Sequence, residues 1–123
     1  MTEGTVFGWP LTIPVSEYGM HYDTNNAQII ARAQNAGEEA WNALPVTVIP
    51  ARTLLNAHEE TVSHKNIRRI VSGKVRLRDD YEVRLWDSGE KLYIVDGHTR
   101  TAIYHVLNRE MPVRIMDEKT LPE

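Results

Sequence analysis

The chain has no cysteine among its 123 residues. That excludes disulfides, thiolate metal sites and a cysteine nucleophile, and it leads us to expect a cytoplasmic setting. No apolar run approaches the ~20 residues that span a bilayer, and no basic stretch followed by an apolar one opens the chain, so no membrane partner or secretory leader is expected. Neither a Walker loop nor a GxGxxG fingerprint occurs. His58-Glu59-Glu60 and His64 lack the HExxH spacing of zinc proteases, so they are read as solvent-facing loop residues and no metal site is expected. Internal repeats and low-complexity tracts are missing too. A chain of this length is expected to form one domain, burying roughly two thirds of its unfolded surface.

Basic residues are scarce in the first half. Residues 1–64 carry only Arg32 and Arg52 against seven acidic residues, whereas residues 65–123 carry twelve basic against ten acidic, within a net charge of −3. Lys65–Arg78 holds six basic side chains and no acidic one. Such a run is either a solvated helix and loop or a face for the phosphates of a polyanion.

The pattern along the chain predicts an α/β (α+β) fold with a small mixed sheet, in three parts: an arm and helix over 1–45, a core over 46–116 and a polar tail over 117–123. The arm contains Gly4, Gly8, Pro10, Pro14 and Gly19, yet Phe7, Trp9, Leu11, Ile13, Val15 and Tyr18 make it too apolar to stay bare. The domain itself, a second copy in a homodimer, or a protein partner must cover it. Leu11–Val15 can form a short edge strand, where proline is tolerated.

Asp23 or Thr24 is placed to cap a helix running to about Leu44, with Ile30, Ala33, Gly37, Trp41 and Leu44 on one stripe. Val46–Ile49 reads as a strand and Thr53–Thr61 as a turn or broken helix. Ser63 caps a helix with Ile67, Ile70 and Val71 inward, closed by Gly73. Tyr81–Trp86 and Lys91–Val95 flank a hairpin at Asp87-Ser88-Gly89-Glu90. A helix from His98 to about Asn108, with Ala102, Ile103, Val106 and Leu107 inward, precedes a last strand at Pro112–Met116 and a frayed tail. Trp9, Trp41 and Trp86 are read as core or interface anchors.

The chemistry concentrates in Leu92–Leu107, which reads as strand, tight polar turn and helix. Amides that open a helix lack internal acceptors and sum with the helix dipole, which favours an anion there. Gly97 lets a ligand approach the backbone closely. Arg100 can grip a phosphate in a bidentate manner. His98 can donate to it or carry a proton, and Thr99 and Thr101 can cap or donate. The alternative is an ordinary strand-to-helix connection in which Asp96 caps the helix and Arg100 is surface charge.

The run Tyr93-Ile-Val-Asp-Gly-His-Thr-Arg-Thr-Ala102, followed by Asn108-Arg-Glu-Met-Pro-Val-Arg-Ile115, resembles the ParB/sulfiredoxin superfamily, in which a strand ends in a DGHHR-like turn and an alanine-rich helix leads to a return strand. Val48-Ile-Pro and Thr61-Val-Ser-His-Lys-Asn-Ile67 are similar to the upstream strand and helix of phage and plasmid members. The resemblance covers about residues 46–116.

It implies a turn that holds the phosphate of a nucleotide or a nucleic acid, with Asp96, Gly97, His98, Thr99 and Arg100 as the grip. It implies a nuclease or phosphotransferase activity in which His98 and Glu60, or Glu59, would be catalytic, and a nucleotide with Mg2+ as the bound group. Thr99 stands where the motif has a second histidine. Asn66 stands where a lysine is common, with Lys65 beside it as the substitute. His98 in place of sulfiredoxin's cysteine excludes that chemistry, and the GERR box of the partition proteins is absent. The alternative is a catalytically inactive ParB-like accessory, for instance a phage or mobile-element factor that engages a host protein in the host cytoplasm.

Overall fold

A strand that is apolar at every position needs cover on both faces, and helices from both halves of the chain supply it. The computed structural model describes residues 5–6, 9–10, 12–74, 76 and 82–122. In chain order the strands are β1 (Thr5–Val6), β2 (Trp9–Pro10), β3 (Thr12–Pro14), β4 (Met20–Tyr22), β5 (Val46–Ile49), β6 (Leu55–Ala57), β7 (Thr61–Ser63), β8 (Val83–Asp87), β9 (Leu92–Asp96) and β10 (Met111–Met116). The helices are α1 (Ala27–Gln34), α2 (Glu38–Asn42), α3 (His64–Val71) and α4 (His98–Leu107), with a 3-10 turn at Val15–Tyr18.

Six strands form the main sheet in the order β4-β6-β9-β8-β10-β5. β4, β6 and β9 run parallel, and so do β8 and β10, while β8 is antiparallel to β9 and β5 to β10. The fold is therefore mixed α/β, with β9 inside the sheet. Side chains alternate along β9 as a pleat requires. Ile94 joins Leu55, Val83, Leu85, Ile67, Ile103 and Val113 in one core. Tyr93 and Val95 face the other, with Ile30, Ala33, Trp41, Trp86 and Met116. Burying side chains of this size contributes roughly 1.5–3 kcal/mol each, so the two cores anchor β9 from both sides.

Several elements match their sequence signals. Ser63 caps α3, its Oγ accepting from the Asn66 N–H at 3.3 Å. Gly73 closes that helix at φ 82°. The hairpin closes through the Ser88 N–H donating to the Lys91 carbonyl at 3.0 Å and the Gly89 N–H donating to Asp87 Oδ1 at 2.8 Å.

Others differ. The helix expected from Asp23 or Thr24 to Leu44 is two helices, broken where Gly37 takes φ 91°. Asp23 does not cap it. Its carboxylate instead accepts from the Asn25 N–H, Asn56 Nδ2 and the Tyr93 hydroxyl, at 2.9, 3.0 and 3.2 Å. The Asn25 N–H first, and then the Tyr93 and Asn56 donors, hold it below the usual carboxylate range.

Thr53–Thr61 is not a broken helix, because it contains β6, whose three residues are all buried between β4 and β9. Val71 and Val106, expected inward, are 40% and 43% exposed. Nor is the tail frayed through Pro122: the Asp117 carboxylate accepts from the Lys119 and Thr120 amides, and Leu121 packs on the second core. Tyr81, Val75, Leu77 and Arg78 lie outside the described residues, so the start expected for β8 and part of the basic run do too, as do Phe7 and Leu11 of the arm.

The N-terminal residues are woven into the domain. β3 pairs antiparallel with β7, and the buried Val15 donates its N–H to the Glu60 carbonyl at 2.9 Å. β4 forms one edge of the main sheet. Trp41 is fully buried and donates Nε1–H to the Ala33 carbonyl at 2.9 Å, joining α2 to α1. Trp41→Ala is expected to destabilise the domain by about 3–5 kcal/mol, the usual loss for emptying an aromatic site in a core. Urea unfolding of the two proteins checks this, and equal midpoints would mean that residues 27–44 lie outside the cooperative core.

Candidate functional site

The site is built where β9 gives way to α4. Gly97 makes the turn at φ 109°, a left-handed conformation that side-chain-bearing residues rarely adopt. A Cβ placed there would lie 3.0 Å from Val83 Cγ2 on the neighbouring strand. The first intrahelical bond of α4 runs from the Thr101 N–H to the Gly97 carbonyl at 2.9 Å, and the Thr101 hydroxyl donates to the same oxygen at 2.8 Å. The His98 and Thr99 amides precede that bond and have no intrahelical acceptor. No side chain caps this end, and no acidic residue stands in the first turn. Asp96, the last residue of β9, is exposed.

A cleft of about 460 Å3 opens over this turn. The turn gives it Asp96, Gly97, His98, Thr99 and Arg100, the loop between β6 and β7 gives His58 and Glu59, and α3 gives Asn66 and Arg69. Gln34 reaches it from α1, donating Nε2–H to the Val95 carbonyl at 3.2 Å. Among the described residues, two guanidinium groups and two carboxylates thus border the cleft around a helix N-terminus.

His98 is the buried centre of this arrangement, 4% exposed. Its Nε2 accepts from two backbone amides, those of His58 at 3.2 Å and Glu59 at 3.4 Å. A protonated Nε2 would point a hydrogen at two other N–H groups. Burial first, and then the charge of neighbouring His58, push its pKa from 6.5 down to about 3. The Glu59 carboxylate, 3.6 Å from Nδ1, is too distant for a hydrogen bond and is 56% exposed, so solvent screens it and it does not restore the imidazolium.

These positions redistribute the roles read from sequence. Asp96, Gly97, His98, Thr99 and Arg100 all border one cleft. His98 ties the β6–β7 loop to α4, its Nε2 accepting from both loop amides. Glu60 is exposed and outside the cleft lining, and Glu59 lines it instead. Lys65 is exposed on α3 but does not line the cleft; Arg69, one helical turn later, does. His58, Asn66, Arg69 and Gln34 had not been assigned to the phosphate grip. Arg69 sits in the basic run, which was its only signal, and Gln34 had none. Among the described residues, no group of three His, Asp or Glu side chains is placed to hold a metal ion. Comparison with protein-family models, with curated proteins and with solved structures finds no match to this chain.

The depressed His98 sets an acid limit on stability. The unfolded chain protonates this ring below about 6.5 and the folded chain only below about 3. Between those values the unfolded state holds more protons, so stability rises with pH, by up to about 1.4 kcal/mol per unit from this group. Its contribution is complete above about 6.5 and is lost as the pH falls through the window. In His98→Gln the acid limb is expected to be shallower, as read from denaturant unfolding across that range. A slope unchanged from the wild-type protein would contradict the buried neutral state.

Proposed function

We propose that the cleft at the β9–α4 turn binds the phosphate of a nucleotide or a nucleic acid, as the resemblance to ParB/sulfiredoxin domains implies. The observation that carries this reading is the uncapped N-terminus of α4, which opens into a cleft of about 460 Å3 flanked by Arg69 and Arg100. Backbone amides aimed at a ligand, together with the helix dipole, favour negative charge. A guanidinium adds a permanent charge in a fork that matches two phosphate oxygens.

Glu59 and Asp96 bear on the bound group. Carboxylates weaken a bare phosphate site, but Mg2+ is commonly held by one or two carboxylates together with substrate phosphates. These two residues are the ones that would hold it, and the metal would supply neutralisation of phosphate charge. The remaining space suits a ligand larger than inorganic phosphate.

Within this reading, binding without turnover is the better supported form. The histidine that the resemblance assigns to catalysis is locked neutral by two amides and held at about 3, so it cannot serve as a base near neutral pH. An accessory protein that recognises a phosphate-bearing partner fits such a site.

Arg100→Ala is expected to weaken binding by about 1.5–3 kcal/mol, the range for a charged hydrogen bond, or about ten- to a hundredfold in affinity. Calorimetry against a panel of nucleotides and a short oligonucleotide, each with and without magnesium, measures this and identifies the ligand class. Equal affinities for the two proteins would mean that Arg100 is surface charge and that the reading fails.

A further inference from the structure

One side of the cleft comes from α1, which lies outside residues 46–116. Ile30 and Ala33 of that helix pack with Tyr93 and Val95 of β9 in the second core. With the helix seated in this way, Gln34 in its last turn reaches the end of β9 and lines the cleft, exposed. Its Nε2–H donates to the Val95 carbonyl at 3.2 Å.

That bond decides which way round the amide sits. A carbonyl oxygen can only accept, so the Gln34 nitrogen must face it and Oε1 must turn away. The neighbouring His58 Nε2, 3.4 Å away, also approaches the Gln34 nitrogen and not its oxygen. Among the described residues Oε1 has no hydrogen-bond partner. The cleft therefore carries an acceptor that is oriented before any ligand arrives, and a group already held loses less freedom on binding.

Such an acceptor has no use for an ionised phosphate oxygen, which is an acceptor itself. It takes the hydrogen of a hydroxyl or an amino group. Val95 stands two residues before Gly97, and two residues of strand span roughly 6–7 Å. That is about the reach from a phosphate to the hydroxyls of the sugar that bears it. Ile70, Val95 and Ile103 also line the cleft, and apolar surface suits the carbon skeleton of a sugar better than a bare ion. The phosphate-binding reading admits both a free nucleotide and a strand, and the sugar hydroxyl free in both is the one at position 2.

We propose that Gln34 is a specificity-determining residue of the cleft, its Oε1 accepting from the 2-hydroxyl of a ribosyl phosphate. The proposal rests on the phosphate-binding reading of the same cleft. It gives α1 a part in recognition as well as in covering the sheet. The ligand class is then ribose-bearing, either a ribonucleotide or RNA, since the 2-hydroxyl is what distinguishes these from their deoxy counterparts.

Ribose 5-phosphate, 2-deoxyribose 5-phosphate and inorganic phosphate, each titrated into the full chain by calorimetry, isolate this contact without a base. Affinity for ribose 5-phosphate is expected to exceed that for the deoxy sugar by about five- to tenfold, the size of one hydrogen bond. Gln34→Met keeps the length of the side chain and removes the amide. It is expected to bring the two sugars level and to leave the affinity for inorganic phosphate unchanged. If the wild-type protein binds inorganic phosphate but does not distinguish the two sugars, the role of Gln34 is overturned and the anion site stands. The same holds if Gln34→Met keeps the preference, or weakens all three ligands alike, because Gln34 then only braces α1 against β9. If the wild-type protein binds none of the three, the site reading falls and this proposal with it. A short oligoribonucleotide measured against its DNA counterpart separates the two sources. A preference for RNA that Gln34→Met removes assigns the strand, and a preference confined to the sugar phosphates assigns the free nucleotide.

Discussion

At Gly97 the chain leaves a buried strand and enters a helix within a single residue, at φ 109°. Any other side chain there would be strained by the dihedral and would also crowd Val83 on β8, which lies 3.0 Å from the position of a Cβ. The sheet therefore fixes how tightly the turn is drawn and, with it, where α4 begins. Because α4 starts at once, His98 falls at the first helical position and drops into the core, while Thr99 and Arg100 stay at the rim of the cleft. The distribution of polar groups around the cleft depends on this one conformation.

Burying His98 is the second constraint. A lone imidazole in an apolar setting is costly unless its nitrogens find partners. Here two amides of the β6–β7 loop supply them for Nε2, and the same bonds pin the loop carrying His58 and Glu59 over the turn. The price is an acid-sensitive fold. The N-terminal segment completes the framework: β4 extends the sheet beyond β6, α1 and α2 close its second face, and Gln34 reaches from α1 to the end of β9.

Much of this was legible in the sequence because the signals were local. The unbroken apolar run Leu92–Val95 announced a strand covered on both faces, Ser63 announced the start of α3, and Asp96–Arg100 are neighbours in the chain, so their meeting in one cleft needed no knowledge of packing. β6 was not legible. It is short, with Asn56 at its centre, and becomes a strand because β4 and β9 flank it and Asp23, 33 residues away, accepts from Asn56. Gly37 lay on the apolar stripe of a longer helix, and only its positive φ shows the break. The choice between Glu59 and Glu60 turns on a one-residue alternation in the loop. Arg69 and Gln34 reach the cleft only through the packing of α3 and α1. The basic run foretold charge near the site but not which cation would face it.

The central claim is that the amides opening α4 receive an oxyanion. The most direct measurement is a backbone amide NMR titration of the full chain with phosphate and then with the tightest nucleotide. The account predicts that the largest shifts appear at Gly97, His98, Thr99 and Arg100, with smaller ones at His58, Glu59 and Arg69. Shifts confined to the exposed face of α3 around Lys65 and Arg68, with the amides at residues 97–100 unmoved, would contradict it.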